Sequence, residues 1–139
     1  MASNYTPNLN LCQWAEEDAV LREDFNADNA KIDAALATKC EVYTGTYNGN
    51  GKTSQTITLG FKPKFVWVWQ ANSATPFSNT HDVNSAIAFP GYPALHYNDS
   101  TALEITNTGF TAYCRPNLGN NFDIFLNTDD TLYAYLVLK

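Results

Sequence analysis

His81 stands immediately before Asp82, and a histidine beside a carboxylate is the raw material of an acid–base pair. A hydrolase built on it also needs a nucleophile and an orienting group in contact. The serines of the same stretch, Ser73, Ser78 and Ser85, sit in no nucleophile-elbow motif, and His96 is the only other histidine. Asp82, Asp99, Glu104 and Asp123 are carboxylates of the kind a glycosidase pairs, but any acidic chain supplies such residues. Asn127-Thr128-Asp129-Asp130, and Asp99 beside Asn98, cluster oxygen atoms that suit a hard cation. EF-hand spacing is absent, and turn formation accounts for the same residue types. Asn48-Gly49-Asn50-Gly51 is hairpin chemistry and opens no helix, as a phosphate-binding loop must. Cys12, Cys40 and Cys114 are odd in number and widely spaced, which fits neither a disulfide framework nor a zinc site. The expectation from these residues is a chain that is not an enzyme and uses no cofactor and no metal ion.

Aromatic residues are more informative. Phe, Trp and Tyr make up 14% of the chain, and Tyr47, Phe77, Tyr92, Tyr97 and Tyr113 fall at or near loops among Asn, Asp, Ser and Thr. Flat apolar rings beside amide and carboxylate groups are what binding a sugar or a protein epitope requires. The same rings also suit the core and strand ends of a β-domain. The two segments best placed for contact are Ala71–Asn84, the longest irregular stretch, and Pro90–Asp99. They carry the candidate ligand-binding residues His81, Asp82, Tyr92, Tyr97 and Asp99.

Two kinds of element must position these groups. Pro7 keeps residues 1–9 extended, and Asn10 is a plausible N-cap with Gln13 three residues on. From there Leu11, Trp14, Leu21, Phe25, Ile32 and Ala35 recur at spacings of three, four or seven, one face of a helix. Asp18 and Asp28 interrupt that seam. Two uses of the face stand open, a coiled stalk between chains or a helix lying on its own β-domain.

From Glu41 the period becomes two. Strands are predicted at 42–48, 54–60, 64–70, 85–89, 94–98, 102–106, 110–114, 122–126 and 132–138, separated by turn residues rich in Asn, Gly and Pro. The predicted fold is mainly β: an antiparallel β-sandwich (41–139) preceded by one N-terminal amphipathic helix (1–40). Phe65–Trp69 and Leu132–Leu138 are apolar on both faces, where a small sandwich normally keeps one face wet. Something must cover the outer face, either the helix or a neighbouring subunit. The candidate oligomer interface is therefore Leu21, Phe25, Ile32, Trp67, Trp69, Tyr133 and Tyr135.

The 139 residues carry a net charge of −6. Residues 1–40 hold three basic against seven acidic residues, so most of the charge sits in the helical part. An acidic surface repels phosphate backbones and anionic lipid, which makes nucleic acid and membrane insertion poor partner expectations. No apolar run approaches the ~20 residues of a spanning helix, and the start of the chain lacks a signal-peptide layout, so synthesis in the cytoplasm is expected.

Two blocks carry a family resemblance. The segment from Tyr5 to Leu11, with Leu21-Arg22-Glu23-Asp24 leading into Phe25-Asn26-Ala27-Asp28-Asn29, resembles N-terminal segments of phage and prophage tail proteins of Gram-positive-type phages. Gly45 to Gly51, followed by Ile57 to Val66 with its Gly60-Phe61-Lys62-Pro63 turn, is similar to a β-rich module of tail fibres, and Leu132–Leu138 looks like its last strand. The resemblance implies a homotrimeric receptor-binding or fibre-tip protein in a virion tail or phage-derived particle. Its partners would be copies of itself, other tail proteins and a host-surface glycan or protein, bound multivalently and without chemistry. A structural baseplate or fibre-joining protein is the alternative, and a cell-wall polysaccharide hydrolase the third.

Overall fold

The computed structural model describes residues 2–72, 82–118 and 123–139. The chain divides into two compact units, residues 1–40 and 41–139.

The first unit is a short hairpin and a helix. Strands β1 (Asn4–Tyr5) and β2 (Cys12–Gln13) pair antiparallel, and helix α1 runs from Arg22 to Ala37. The predicted helix start at Asn10 is not formed. Asn10 takes a left-handed conformation (φ 53°), and the amides of Leu11, Cys12 and Ala15 donate to side-chain oxygens of Thr6, Asp28 and Asp18. The Asp18 carboxylate accepts from the amides of Ser3 (2.9 Å) and Ala15 (2.8 Å) and from the Ser3 hydroxyl. Asp side chains compete with the helical ladder in this way, so the helix waits until Leu21, still extended, hands over to Arg22. Leu11 and Trp14 therefore lie outside the helix. Asp28, read as a polar break in the seam, is buried. It accepts from the Cys12 amide (2.6 Å) and from Lys31 Nζ (3.0 Å), whose ammonium also reaches the Asn10 carbonyl. Asp28 thus ties the hairpin to the helix. The next stripe round, Leu21, Phe25, Ile32 and Leu36, is exposed within the chain.

The second unit holds two main sheets around one core. The first has strand order β3 (Val42–Asn48), β12 (Leu132–Leu138), β5 (Phe65–Gln70), β7 (Ser85–Ala88), and every pair is antiparallel. The second is built on β10 (Gly109–Arg115). One edge of β10 pairs with β4 (Ser54–Thr58). Its other partners are β9 (Ser100–Thr106) along Gly109–Ala112 and β11 (Asp123–Phe125) at Cys114–Arg115. Strand β8 (Ala94–His96) extends from β9, and β6 (Asp82–Val83) from β11.

The antiparallel expectation fails at one place, because β6 runs parallel to β11, with Asp82 opposite Asp123 and Val83 opposite Ile124. Residues 82–88 pass from the second sheet into the first.

Val66, Val68, Ala88, Tyr133 and Val137 from one sheet, and Leu103, Phe110, Ala112 and Ile124 from the other, form a single buried cluster with Leu126, which follows β11. Each large side chain removed from water here contributes roughly 1.5–3 kcal/mol. Tyr47 stacks on Tyr133 at 5.1 Å, and both hydroxyls are satisfied: Tyr47 donates to Leu126 O (2.6 Å) and Tyr133 to Phe125 O (2.7 Å). At one end the fully buried Asn127 holds two turns together. Its Oδ1 accepts from the Asn50 amide (3.1 Å), and its Nδ2 donates to Asn50 Oδ1 (2.7 Å) and Lys52 O (2.9 Å). Gly49 beside it permits this closeness, since a Cβ there would lie 1.9 Å from the Thr128 carbonyl.

The register also resolves the strands that read as apolar on both faces. Tyr133 is fully buried, and Tyr135 packs on the core with its ring 5.3 Å from Phe110. Assigning these two tyrosines to a subunit interface is therefore corrected: they turn inward. The outward set is Leu132, Ala134, Leu136 and Leu138 of β12 with Phe65, Trp67 and Trp69 of β5 and Ile87 of β7. Trp67 and Trp69 touch at 4.8 Å, and Trp67 Nε1 donates to Ser85 Oγ (2.9 Å).

Candidate functional site

His81 lies outside the described residues. Asp82 is half-buried in β6, opposite Asp123, whose Oδ1 accepts from the Asn117 amide at 2.6 Å. Tyr92 closes a tight hairpin in which the Phe89 and Tyr92 backbones exchange hydrogen bonds of 3.0 and 2.9 Å. Pro90 presets φ at the first turn position, and Gly91 supplies the positive φ (78°) that the second requires. Tyr92 is held out on this turn with 76% of its surface exposed. Tyr97 and Asp99 belong to a 3₁₀ turn, Tyr97–Asp99, between β8 and β9, where Asn98 (φ 55°) and Asp99 (φ 56°) are both left-handed. Tyr97 is half-buried and Asp99 exposed. Tyr92 and Tyr97 stand at opposite ends of β8.

A second constellation forms on the sheet. Along β10, buried Phe110 and Ala112 alternate with Thr111, Tyr113 and Arg115. The Thr111 and Thr56 hydroxyls are 3.0 Å apart, and Thr111 stands opposite Glu104 of β9. The Tyr113 hydroxyl donates to the Glu104 carboxylate. Burial, then this bond and the neighbouring negative charge, push the Tyr113 pKa up to about 12, against the opposing charge of Arg115. The phenol is therefore a hydrogen-bond donor across the whole neutral range. The Arg115 guanidinium lies 4.9 Å from the centre of the Tyr113 ring. Its Nε is buried and has no hydrogen-bond partner.

Glu104, Tyr113 and Arg115 thus form a half-buried acceptor–ring–donor cluster. Glu104 and Tyr113 stood out in the sequence separately, as a carboxylate and a ring. Arg115 did not, although polar residues at 111, 113 and 115 opposite Phe110 and Ala112 are the period-two signal of one polar face.

Among the described residues no group of three or more His, Cys, Asp or Glu is placed to hold a metal ion, and no helix is long and apolar enough to cross a membrane. Cys12, Cys40 and Cys114 are free thiols. No family model, curated protein or solved structure matches the chain. The class these features define is a mainly β domain, preceded by a helical unit, with polar-aromatic surfaces.

Proposed function

We propose that this chain is a non-enzymatic component of a phage tail or phage-derived particle that binds a host-surface glycan, or a surface protein, in several copies. Residues 41–139 act in this reading as a β-sandwich tip and residues 1–40 as the joining segment. The observation that carries it is Tyr92, an exposed ring on a tight turn that Pro90 presets and Gly91 permits. A rigid ring stacks on a sugar face at little entropic cost, and each such contact is weak. Three copies on one particle then gain affinity through effective concentration rather than through chemistry.

The apolar outer face of the first sheet supports self-association, with Trp67 and Trp69 in its middle and Ile87 45% exposed. The exposed stripe of Leu21, Phe25 and Ile32 supports it as well. The same face also favours the reading of a fibre-joining protein with no receptor contact. Glycan-array binding by the purified chain, with adsorption to host cells, tests the proposal. Binding lost in Tyr92→Ala with the oligomer intact is the expected result. No binding to any glycan and no adsorption would leave the fibre-joining reading.

A further inference from the structure

We propose that the open edge of β3 is an interface for a second copy of this chain, whose own β3 pairs with it antiparallel and joins the four-stranded sheets of the two copies into one. β3 is an end strand of that sheet, and Val42–Asn48 holds neither a charged residue nor a proline. Gly49 N donates to Thr131 O (2.8 Å) and Lys139 N to Glu41 O (3.0 Å), which sets the phase of the ladder with β12. Hydrogen-bonded pairs alternate along an antiparallel ladder, so Tyr43, Gly45 and Tyr47 direct their backbone groups at β12. Val42, Thr44, Thr46 and Asn48 then aim theirs at the open edge. All four residues are exposed, and among the described residues these groups meet no partner.

Natural sheets blunt such an edge with a lysine, a proline, a bulge or a very short strand. β7, at the far edge of the same sheet, is four residues long, and the chain turns at Pro90 soon after it. β3 has seven residues in unbroken register and none of these devices. A second β3 fits it in charge, in phase and in facing. With a two-fold axis at Gly45, Thr44 stands opposite Thr46 of the partner subunit and Val42 opposite Asn48 of the partner subunit. Every outward residue thus meets another outward residue, and both its backbone groups find partners. Glu41 falls opposite Gly49 of the partner subunit, so no like charges meet. The facing matches as well. Tyr43 shares the inward side of Tyr47, which is buried, and the two come opposite each other across the axis. Thr44 and Thr46 lie on the outer side, where a cross-strand threonine pair is favourable. The core sides of the two sheets therefore continue each other, and so do the outer sides that carry Trp67 and Trp69. An isologous contact of this kind closes on itself. The inference does not rest on the tail reading or on the outer-face contact.

Amide hydrogen exchange of the full-length chain, read by NMR, tests the proposal. In dilute solution the Thr44 and Thr46 amides are expected to exchange fast, and those of Tyr43, Gly45 and Tyr47 slowly. At about 1 mM chain the Thr44 and Thr46 amides are expected to slow at least about tenfold. Fast exchange of both at either concentration overturns the proposal, and this result needs no variant to fold. Slow exchange already in dilute solution requires a light-scattering mass of at least twice 15.4 kDa there, and a single-chain mass overturns the proposal. Ile87→Asp alters the outer face and leaves the edge alone, so the protection is expected to persist in it. Protection lost in Ile87→Asp belongs to the outer face and overturns the edge pairing. Thr46→Pro removes one outward amide and spares every bond to β12, and Gly45 before it is already extended. The concentration that protects Thr44 is expected to rise at least about tenfold in Thr46→Pro, and an unchanged concentration overturns the pairing.

Discussion

Replacing Asn127 by alanine removes all three side-chain hydrogen bonds that join the Asn50–Lys52 turn to the segment entering β12. Each such bond is worth about 1 kcal/mol net, and the Asn50 amide and Lys52 carbonyl lose their buried partner, so the loss should be about 2–4 kcal/mol. For a unit of this size, 1 kcal/mol moves the melting temperature about 4–8 °C, which places the variant roughly 8–32 °C below the parent. Circular dichroism melting of the full-length chain reads the shift, and urea unfolding at 25 °C gives the free energy directly. Asn127→Asp separates the donor role from mere size. A carboxylate oxygen in place of Nδ2 faces Asn50 Oδ1 and Lys52 O with nothing to donate, so at neutral pH it should cost at least as much as alanine. A melting temperature within about 3 °C of the parent for either variant would refute the network.

Gly49→Ala should destabilise comparably, because its Cβ would meet the Thr128 carbonyl at 1.9 Å and backbone must move; a normal melting curve would contradict the close approach. Ile87→Asp should leave the folded chain within about 0.5 kcal/mol of the parent, since Ile87 is exposed there. In the proposed trimer it should lower the light-scattering mass from near three times 15.4 kDa toward the single-chain value, and an unchanged oligomer would move the interface elsewhere. Tyr92→Ala should likewise melt with the parent, and a large stability loss would mean that its ring is packed. Burial pushes the Asp28 carboxyl up, but the bonds from Lys31 and the Cys12 amide outweigh it and hold the group below its ordinary 3.8. Asp18 is held low mainly by the Ser3 hydroxyl and the Ala15 amide. A depressed carboxyl lends stability above its unfolded value that is lost as pH falls through the folded one. Amide exchange at Cys12 and Ala15 should therefore lose protection below about pH 4 and not near neutrality, and protection kept to pH 2 would refute the link.

The β-rich part was legible because its signal is local. Alternation over Val42–Asn48 and the continuous apolar, aromatic run Leu132–Leu138 mark two seven-residue strands with the bounds that form. The helix start was misread because helical spacing extends back to Leu11, while the Asp18 and Asp28 carboxylates act through partners up to 16 residues away. Periodicity cannot register such contacts. The inward turn of Tyr133 and Tyr135 depends on register with Tyr47 and Gly45, and the parallel β6–β11 pair depends on residues 82–88 giving one strand to each sheet. Arg115 was invisible for a similar reason: its place over the Tyr113 ring is a property of the fold.

Strand β12 sits between β3 and β5, yet it follows them in the chain by about 84 to 96 and about 63 to 73 residues, respectively. Pairings so distant in sequence form slowly, because a long loop must close before any contact rewards it. Until β12 arrives, β3 and β5 each present an unpaired edge, and β5 carries Phe65, Trp67 and Trp69 on one face. The newly made chain therefore passes through an interval in which its most apolar strand is paired on one edge only, with β7. Its yield should depend on how quickly the last strand arrives, more than on the stability it reaches afterwards.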